Sequence, residues 1–204
     1  MVDIGMGNVG SVANMVRKVG GNANVVTDPG DLTSAQRVIL PGVGAFDEAM
    51  IRLRDRGFVD SLNAVVVAGR TPILGICLGM QLLAERSGEG VEPGLGWIRG
   101  SVDRLSAEAA NGPRKVPHMG WSKVRSSKEH PLLGSLDDQS RFYFVHSYAL
   151  CPADDADALL VARYGGTPFV AAVARGPVMG VQFHPEKSHR HGMGLMKSFL
   201  QVGH

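Results

Sequence analysis

Cysteine is scarce. Two thiols in 204 residues, Cys77 and Cys151, are too few for a disulfide framework, and their separation excludes a CxxC redox or zinc pattern. Long apolar runs are also missing. None approaches the roughly eighteen residues that span a bilayer, and the N-terminus lacks a basic region followed by a hydrophobic one. The expectation is a cytoplasmic protein without a membrane partner. Nor is there an excess of one charge: 21 Lys and Arg against 19 Asp and Glu leave +2, with no block of like charges, so nothing calls for nucleic acid. Internal repeats and low-complexity tracts are absent too. What remains, 44% hydrophobic residues, is enough for one substantial core and suggests a single α/β domain over residues 1–204.

Glycine, by contrast, is plentiful, and one cluster raises a question. Asp3 to Gly10, "DIGMGNVG", holds G-x-G-x-x-G after a short apolar run and before a helical pattern. Asp28 follows the next apolar run, "ANVV", roughly 20 residues on, which is the order a dinucleotide-binding turn requires. An oxidoreductase built on Gly5, Gly7, Gly10 and Asp28 is therefore one reading, although it leaves little chain for a substrate domain.

After this turn Val9, Val12, Ala13, Val16 and Val19 recur with helical spacing, and Gly20-Gly21 can stop the helix. Residues 23–26 and 37–40 read as short buried strands, the second running into Pro41-Gly42-Val43-Gly44. Residues 46–56 and 58–68 look helical. "TPILGI" (71–76) is the continuous apolar run of a central parallel strand, and 77–85 continues as a helix. A glycine-rich loop follows over 88–100. Beyond 101, strands are expected at 121–124, 141–149, 158–164, 168–174 and 178–183, with "GGTP" (165–168) suited to a hairpin. These strands extend the parallel sheet in antiparallel fashion, and an amphipathic helix with Leu195, Met196 and Phe199 closes the chain.

Cys77 stands where the buried strand passes into a helix, between Gly75 and Gly79. A nucleophile elbow needs small neighbours there, because the turn is tight and the side chain must project above the sheet. Backbone N–H groups at the start of a helix favour a thiolate. About a hundred residues later "GVQFHPEKS" (180–188) ends a strand with His184 and Glu186. Residues two apart in an extended segment share a side, so Glu186 can orient the His184 ring and stabilise its cation. A Cys-His-Glu triad results if this strand end lies beside the elbow. The Leu78 N–H is a natural oxyanion donor, and the "PGVG" turn can supply another from Val43 or Gly44, since glycine lets a peptide take either orientation.

"GICLGMQ" (75–81) combined with "QFHPE" (182–186) resembles the class I, or triad, glutamine amidotransferases. "GMGN" (5–8), "PGVGAF" (41–46), "KVPHMGW" (115–121), "FYFVHSY" (142–148) and "HPEKS" (184–188) are similar to one branch of that family, the glutaminase subunits of imidazole glycerol phosphate synthase. The likeness spans essentially the whole chain. It implies a flavodoxin-like, three-layer α/β sandwich around a central, mostly parallel sheet. It also implies that Cys77 attacks the γ-amide carbon of L-glutamine, that His184 protonates departing ammonia and then activates water, and that Glu186 holds the histidine. Gln81 and Glu89 would bind the glutamine head group, with the backbone at Ser147 and Tyr148 completing the pocket. No cofactor or metal is implied.

The implied partner is a cyclase (β/α)₈-barrel subunit in a heterodimer, which receives the ammonia and makes imidazole glycerol phosphate and an aminoimidazole carboxamide ribotide in histidine biosynthesis. Asn8, Pro117, His118, Met119, Trp121 and Lys187 would lie on or near the shared interface, Lys187 facing a partner acid. The chain departs from the family in three places. Only Met1 to Ile4 precede the glycine turn, which leaves open a start upstream; Ile4 replaces a frequent tyrosine, and Ser122 a frequent asparagine.

Plainer readings apply elsewhere. Cys151, His130 and His204 are given no chemistry, Met80 is a packing residue, and His189 and His191 lack a third metal ligand and read as a solvated helix entry. The competing functions are the oxidoreductase, a catalytically silent interaction subunit, and another amidotransferase subunit such as the one feeding anthranilate synthase.

Overall fold

Strand and helix alternate in the first part of the chain, and strands dominate the rest. The computed structural model describes all residues except Ala109, Asn111 and His204, so the reading of His204 lies outside the described residues. The first part comprises α1 (Val9–Lys18), β1 (Val38–Gly42), α2 (Phe46–Asp55), α3 (Phe58–Leu62), β2 (Ile73–Cys77) and α4 (Leu78–Gln81). There follow β3 (Arg86–Ser87), β4 (Gly100–Arg104), β5 (His118–Ser126), β6 (Arg141–His146), β7 (Tyr148–Pro152), β8 (Ala158–Tyr164), β9 (Thr167–Arg175) and β10 (Val178–Val181), and α5 (His189–Phe199) closes the fold.

The large sheet runs β1-β2-β10-β9-β8-β5-β6. β1, β2 and β10 are parallel, and every later pairing is antiparallel. Val2 extends the parallel part: its N–H donates to Ile39 O, and it bridges Val26 in parallel. The order Val26, Val2, β1, β2, β10 is that of a flavodoxin-like sheet, in which ligands bind beyond the carboxyl ends of the strands near the point where the order reverses. A small sheet, β3-β4-β7, stands apart.

Alternation along the parallel strands creates two apolar faces. Ile39, Leu74, Ile76, Met179 and Val181 pack with Val12 and Val16 of α1 and Leu195 and Phe199 of α5. Val38, Leu40, Ile73 and Val178 pack with Phe46 and Leu53 of α2, Phe58 and Leu62 of α3, and Leu150 of the small sheet. Both faces of β2 are therefore covered, which is why its sequence is a continuous apolar run.

The structure differs from the sequence reading at several points, each with a local cause. The helix expected over 77–85 is a single turn. Beyond it the carbonyls of Leu82, Leu83, Ala84 and Glu85 accept hydrogen bonds from Leu95, Ile98, Gly96 and Gly94, and so leave the helical ladder. Residues 141–149 divide at Ser147: β6 pairs with β5, whereas β7 joins β4. Residues 23–26 and the opening segment contribute only the Val2–Val26 bridge. The helix at 58–68 changes to a π-helical turn over Asn63–Ala68.

Candidate active site

The elbow rests on glycines contributed by three adjacent strands. A Cβ at Gly75 in β2 would lie 2.5 Å from Gly79 O, one at Gly180 in β10 would lie 2.7 Å from Met80 Cγ, and one at Gly42 in β1 would lie 3.1 Å from Gly79 N. Their bare backbones let α4 lie directly on the sheet. Cys77, between β2 and α4, takes φ +55° and ψ −109°, a conformation that L residues rarely adopt. α4 is only one turn long, so no long helix dipole acts on the sulfur.

His184 arrives from beyond β10. It is not in an extended strand, as expected, but at the entrance of a 3₁₀ turn over Pro185–Lys187, anchored by its N–H to Tyr143 O at 2.9 Å. The turn, rather than strand alternation, carries Glu186 back to the ring, and His184 Nδ1–H donates to Glu186 Oε1 at 2.8 Å. Both side chains are buried. Cys77 and His184 face the same cleft, where the sulfur donates to Val145 O at 3.9 Å and is close enough to the ring to raise its pKa.

Burial acts to lower the His184 pKa, but the nearby Cys77 and the bonded, charged Glu186 outweigh it, raising the value from 6.5 to about 9. Since the folded value exceeds the unfolded one, the stabilisation is fully present below pH 6.5 and is lost as pH rises through about 9. Glu186→Gln keeps the shape and removes the charge. It is expected to cost roughly 1–3 kcal/mol at neutral pH and to flatten the decline in Tm between about pH 7 and pH 10. Equal slopes for the two proteins in thermal melts would contradict this origin of the shift.

Cys77 and His184 open into a cleft of about 370 Å³ lined also by Val43, Gly44, Leu78, Gln81, Glu89, Ser147, Tyr148, Pro117 and Lys187, together with Val145 and His146. Glu186 stands behind the histidine. A larger depression of about 1110 Å³ lies between Lys123, His130 and Asp137, but contains no thiol. Gly44 has φ +104°, in the region that favours glycine. Glu89 Oε2 accepts from Phe46 N at 3.0 Å, at the start of α2.

The expected interface residues do not all behave alike. Met119 and Trp121 are exposed at 63% and 44%, the Trp121 ring stacks on His189, and Lys187 reaches over the Tyr143 ring. Asn8 is exposed, and its side chain caps α1 by accepting from Ser11 N. His118 requires a correction. Although sequence groups it with its surface neighbours, strand alternation turns it inward, and it is 2% exposed between Tyr164 and Phe144.

The opening glycines lack a dinucleotide geometry. Gly10 sits in α1 with nothing within 4 Å of a Cβ, so no close helix-strand approach depends on it, and Asp28 caps a 3₁₀ turn through Gly30 N.

A model of the glutamine amidotransferase class-I family matches residues 1–202. The chain belongs to that family. This amidotransferase is 50% identical over 202 residues to imidazole glycerol phosphate synthase subunit HisH 2 of Pseudomonas aeruginosa, covering 99% of this chain and 98% of that protein. It is 45% identical over 201 residues to subunit HisH 2 of Methanococcus maripaludis, covering 98% of each. Among solved structures, a glutamine amidotransferase matches with TM-score 0.75 at 21% identity, covering 98% of this chain and 96% of that one. PurLQS from Thermotoga maritima matches with TM-score 0.76 at 18% identity over 98% and 95%. These two structures share the fold.

Two residues of the amidotransferase were missed by sequence reasoning. Gln182 is wholly buried and donates through Nε2 to Cys77 Sγ at 3.8 Å, while its Oε1 accepts from Gln81 Nε2 at 3.0 Å. Its place two residues before His184 was the available signal. Asp47 accepts from the N–H groups of Val91 and Glu92, both at 3.0 Å, and so ties the Glu89 loop to α2. No spacing in the sequence announces that contact. Among the described residues no helix is long and apolar enough to cross a membrane.

Proposed function

We propose that the chain is one glutamine amidotransferase domain over residues 1–204, acting in the cytoplasm as the glutaminase subunit of an imidazole glycerol phosphate synthase. The observation that carries the catalytic reading is His184, bonded to Glu186 at 2.8 Å, lining one cleft with Cys77. The names of the 50% and 45% identical relatives supply the pathway.

In this reading the Cys77 thiolate attacks the γ-amide carbon of L-glutamine. The oxyanion is met by the N–H of Leu78 and by one from Val43 or Gly44, and His184 gives its proton to the departing ammonia. Water then loses a proton to His184 and attacks the γ-glutamyl thioester, releasing glutamate and restoring the thiol. Glu186 holds the imidazole and stabilises its cation. Gln81, Glu89 and the backbone at Ser147 and Tyr148 bind the substrate head group. Ammonia passes to the cyclase (β/α)₈-barrel partner, which docks over Met119, Trp121, Pro117, Asn8 and Lys187.

The test is glutamate formation from glutamine with and without the barrel subunit and its nucleotide-like ligand. An oxyanion N–H that turns inward only in the complex leaves the isolated chain weaker by about 10²-fold or more. Full turnover without any partner would count against the gated turn, and absence of stimulation by this barrel would point to another amidotransferase assembly.

A further inference from the structure

Behind the cleft, hydrogen bonds converge on one atom. The Tyr148 carbonyl oxygen accepts from Gln81 Nε2 at 3.0 Å and lies 2.8 Å from His146 Nδ1. A carbonyl only accepts, so His146 carries a proton on Nδ1. Its Nε2 lies 3.1 Å from His118 Nδ1, and His118 Nε2 lies 3.1 Å from Ser122 Oγ.

Neither ring is placed to be charged. Burial, against the opposing bond to Tyr148, lowers the His146 pKa to about 4, helped by the nearby His118, His184 and Arg114. Burial and Arg114 lower that of His118 to about 4 as well. With both rings neutral, His146 Nε2 is a lone pair, so His118 must donate from Nδ1 and accept at Nε2 from the Ser122 hydroxyl. Each proton has one position.

On the other side of Tyr148, the remaining hydrogen of Gln81 Nε2 goes to Gln182 Oε1, which turns Gln182 Nε2 toward the thiol. Aromatic packing holds the pair. The His118 ring stacks on Tyr164 with centroids 4.1 Å apart, and His146 lies 5.1 Å from Phe169. Apolar residues would fill this space without the cost of burying polar groups, yet all four ring nitrogens are engaged.

We propose that His118 and His146 are positioning residues for Cys77: a neutral pair of fixed tautomer that holds the Tyr148 carbonyl and so keeps the Gln81 and Gln182 amides in the one orientation that donates to the sulfur. The proposal rests on Cys77 being the reacting group of the glutaminase. It gives the buried "HSY" and "PHMGW" histidines a task distinct from partner contact.

Two measurements test it. Ring ¹⁵N spectra of the histidine-labelled protein, recorded from about pH 5 to pH 8, should show two of the seven histidines neutral throughout as Nδ1–H tautomers. An Nε2–H tautomer at either position, or a titration midpoint above about pH 6, would overturn the assignment. The second is the alkylation rate of Cys77 by iodoacetamide. His146→Ala is expected to slow it about tenfold, whereas His146→Asn, whose amide N–H stands where Nδ1–H was, should restore it to within about threefold. Equal rates for Ala and Asn variants would reduce the pair to space filling. Alkylation requires no turnover of glutamine, so this result stands apart from the activity test of Cys77→Ala.

Discussion

Cys77→Ala is expected to reduce glutamate formation by at least about 10³-fold while the protein still folds. The sulfur is the nucleophile of the proposed reaction, and nothing else in the cleft can form the thioester; what remains is positioning by the oxyanion donors and the substrate pocket. The same position stores strain, because φ +55° with ψ −109° is disfavoured for any residue bearing a Cβ. Alanine keeps that Cβ, whereas glycine removes it. Relief of strain of about 1–3 kcal/mol exceeds the roughly 0.5–1 kcal/mol that glycine costs through a freer unfolded chain. Cys77→Gly should therefore be as inactive as Cys77→Ala but melt at a higher temperature. Unchanged turnover in the alanine variant would sink the mechanism, and a lower Tm for glycine would refute the strain.

The elements that the sequence announces are those whose cause is local. β2 declares itself through an unbroken apolar run, α5 through its helical spacing, and the β8-β9 hairpin through Gly165-Gly166. Cys77, His184 and Glu186 stood out as candidates because Gly75, Gly79 and the His-x-Glu spacing each answer to a nearby steric or electrostatic need, and the fold brings Cys77 and His184 into one cleft. Distant partners decide the remainder. The early end of α4 depends on a loop at 94–98, the break at Ser147 on Leu105, whose N–H donates to its carbonyl, and the fixing of the Glu89 loop on Asp47. The opening G-x-G-x-x-G shows the opposite hazard. Gly5 and Gly7 have positive φ and serve a tight turn, but Gly10 is an ordinary helical residue, so the pattern matches while the geometry of a dinucleotide site does not. His118 was misjudged for a related reason: its sequence neighbours face outward, and only the alternation of β5 separates it from them.

Gly79→Ala should have the largest effect on stability. The added Cβ would stand 1.8 Å from Leu40 O and 2.9 Å from Leu40 C. Both are backbone atoms of β1, held by β2 on one side and buried beneath α2, so neither a rotamer change nor a small shift relieves the clash. A cost of at least about 3 kcal/mol follows, or roughly 6 °C or more in Tm for a chain of this size. The natural control is Gly10→Ala, at a helical position with open space, which should gain about 0.5–1 kcal/mol. Any folded Gly79→Ala protein must also have lifted α4 from the sheet, carrying the Leu78 N–H away from the oxyanion position. Glutaminase activity is then expected to fall further than the folded fraction does, by about 10²-fold or more. Wild-type turnover per folded molecule, measured against the far-UV signal, would show instead that the elbow tolerates displacement and that close approach of α4 to β1 is not what aligns the site.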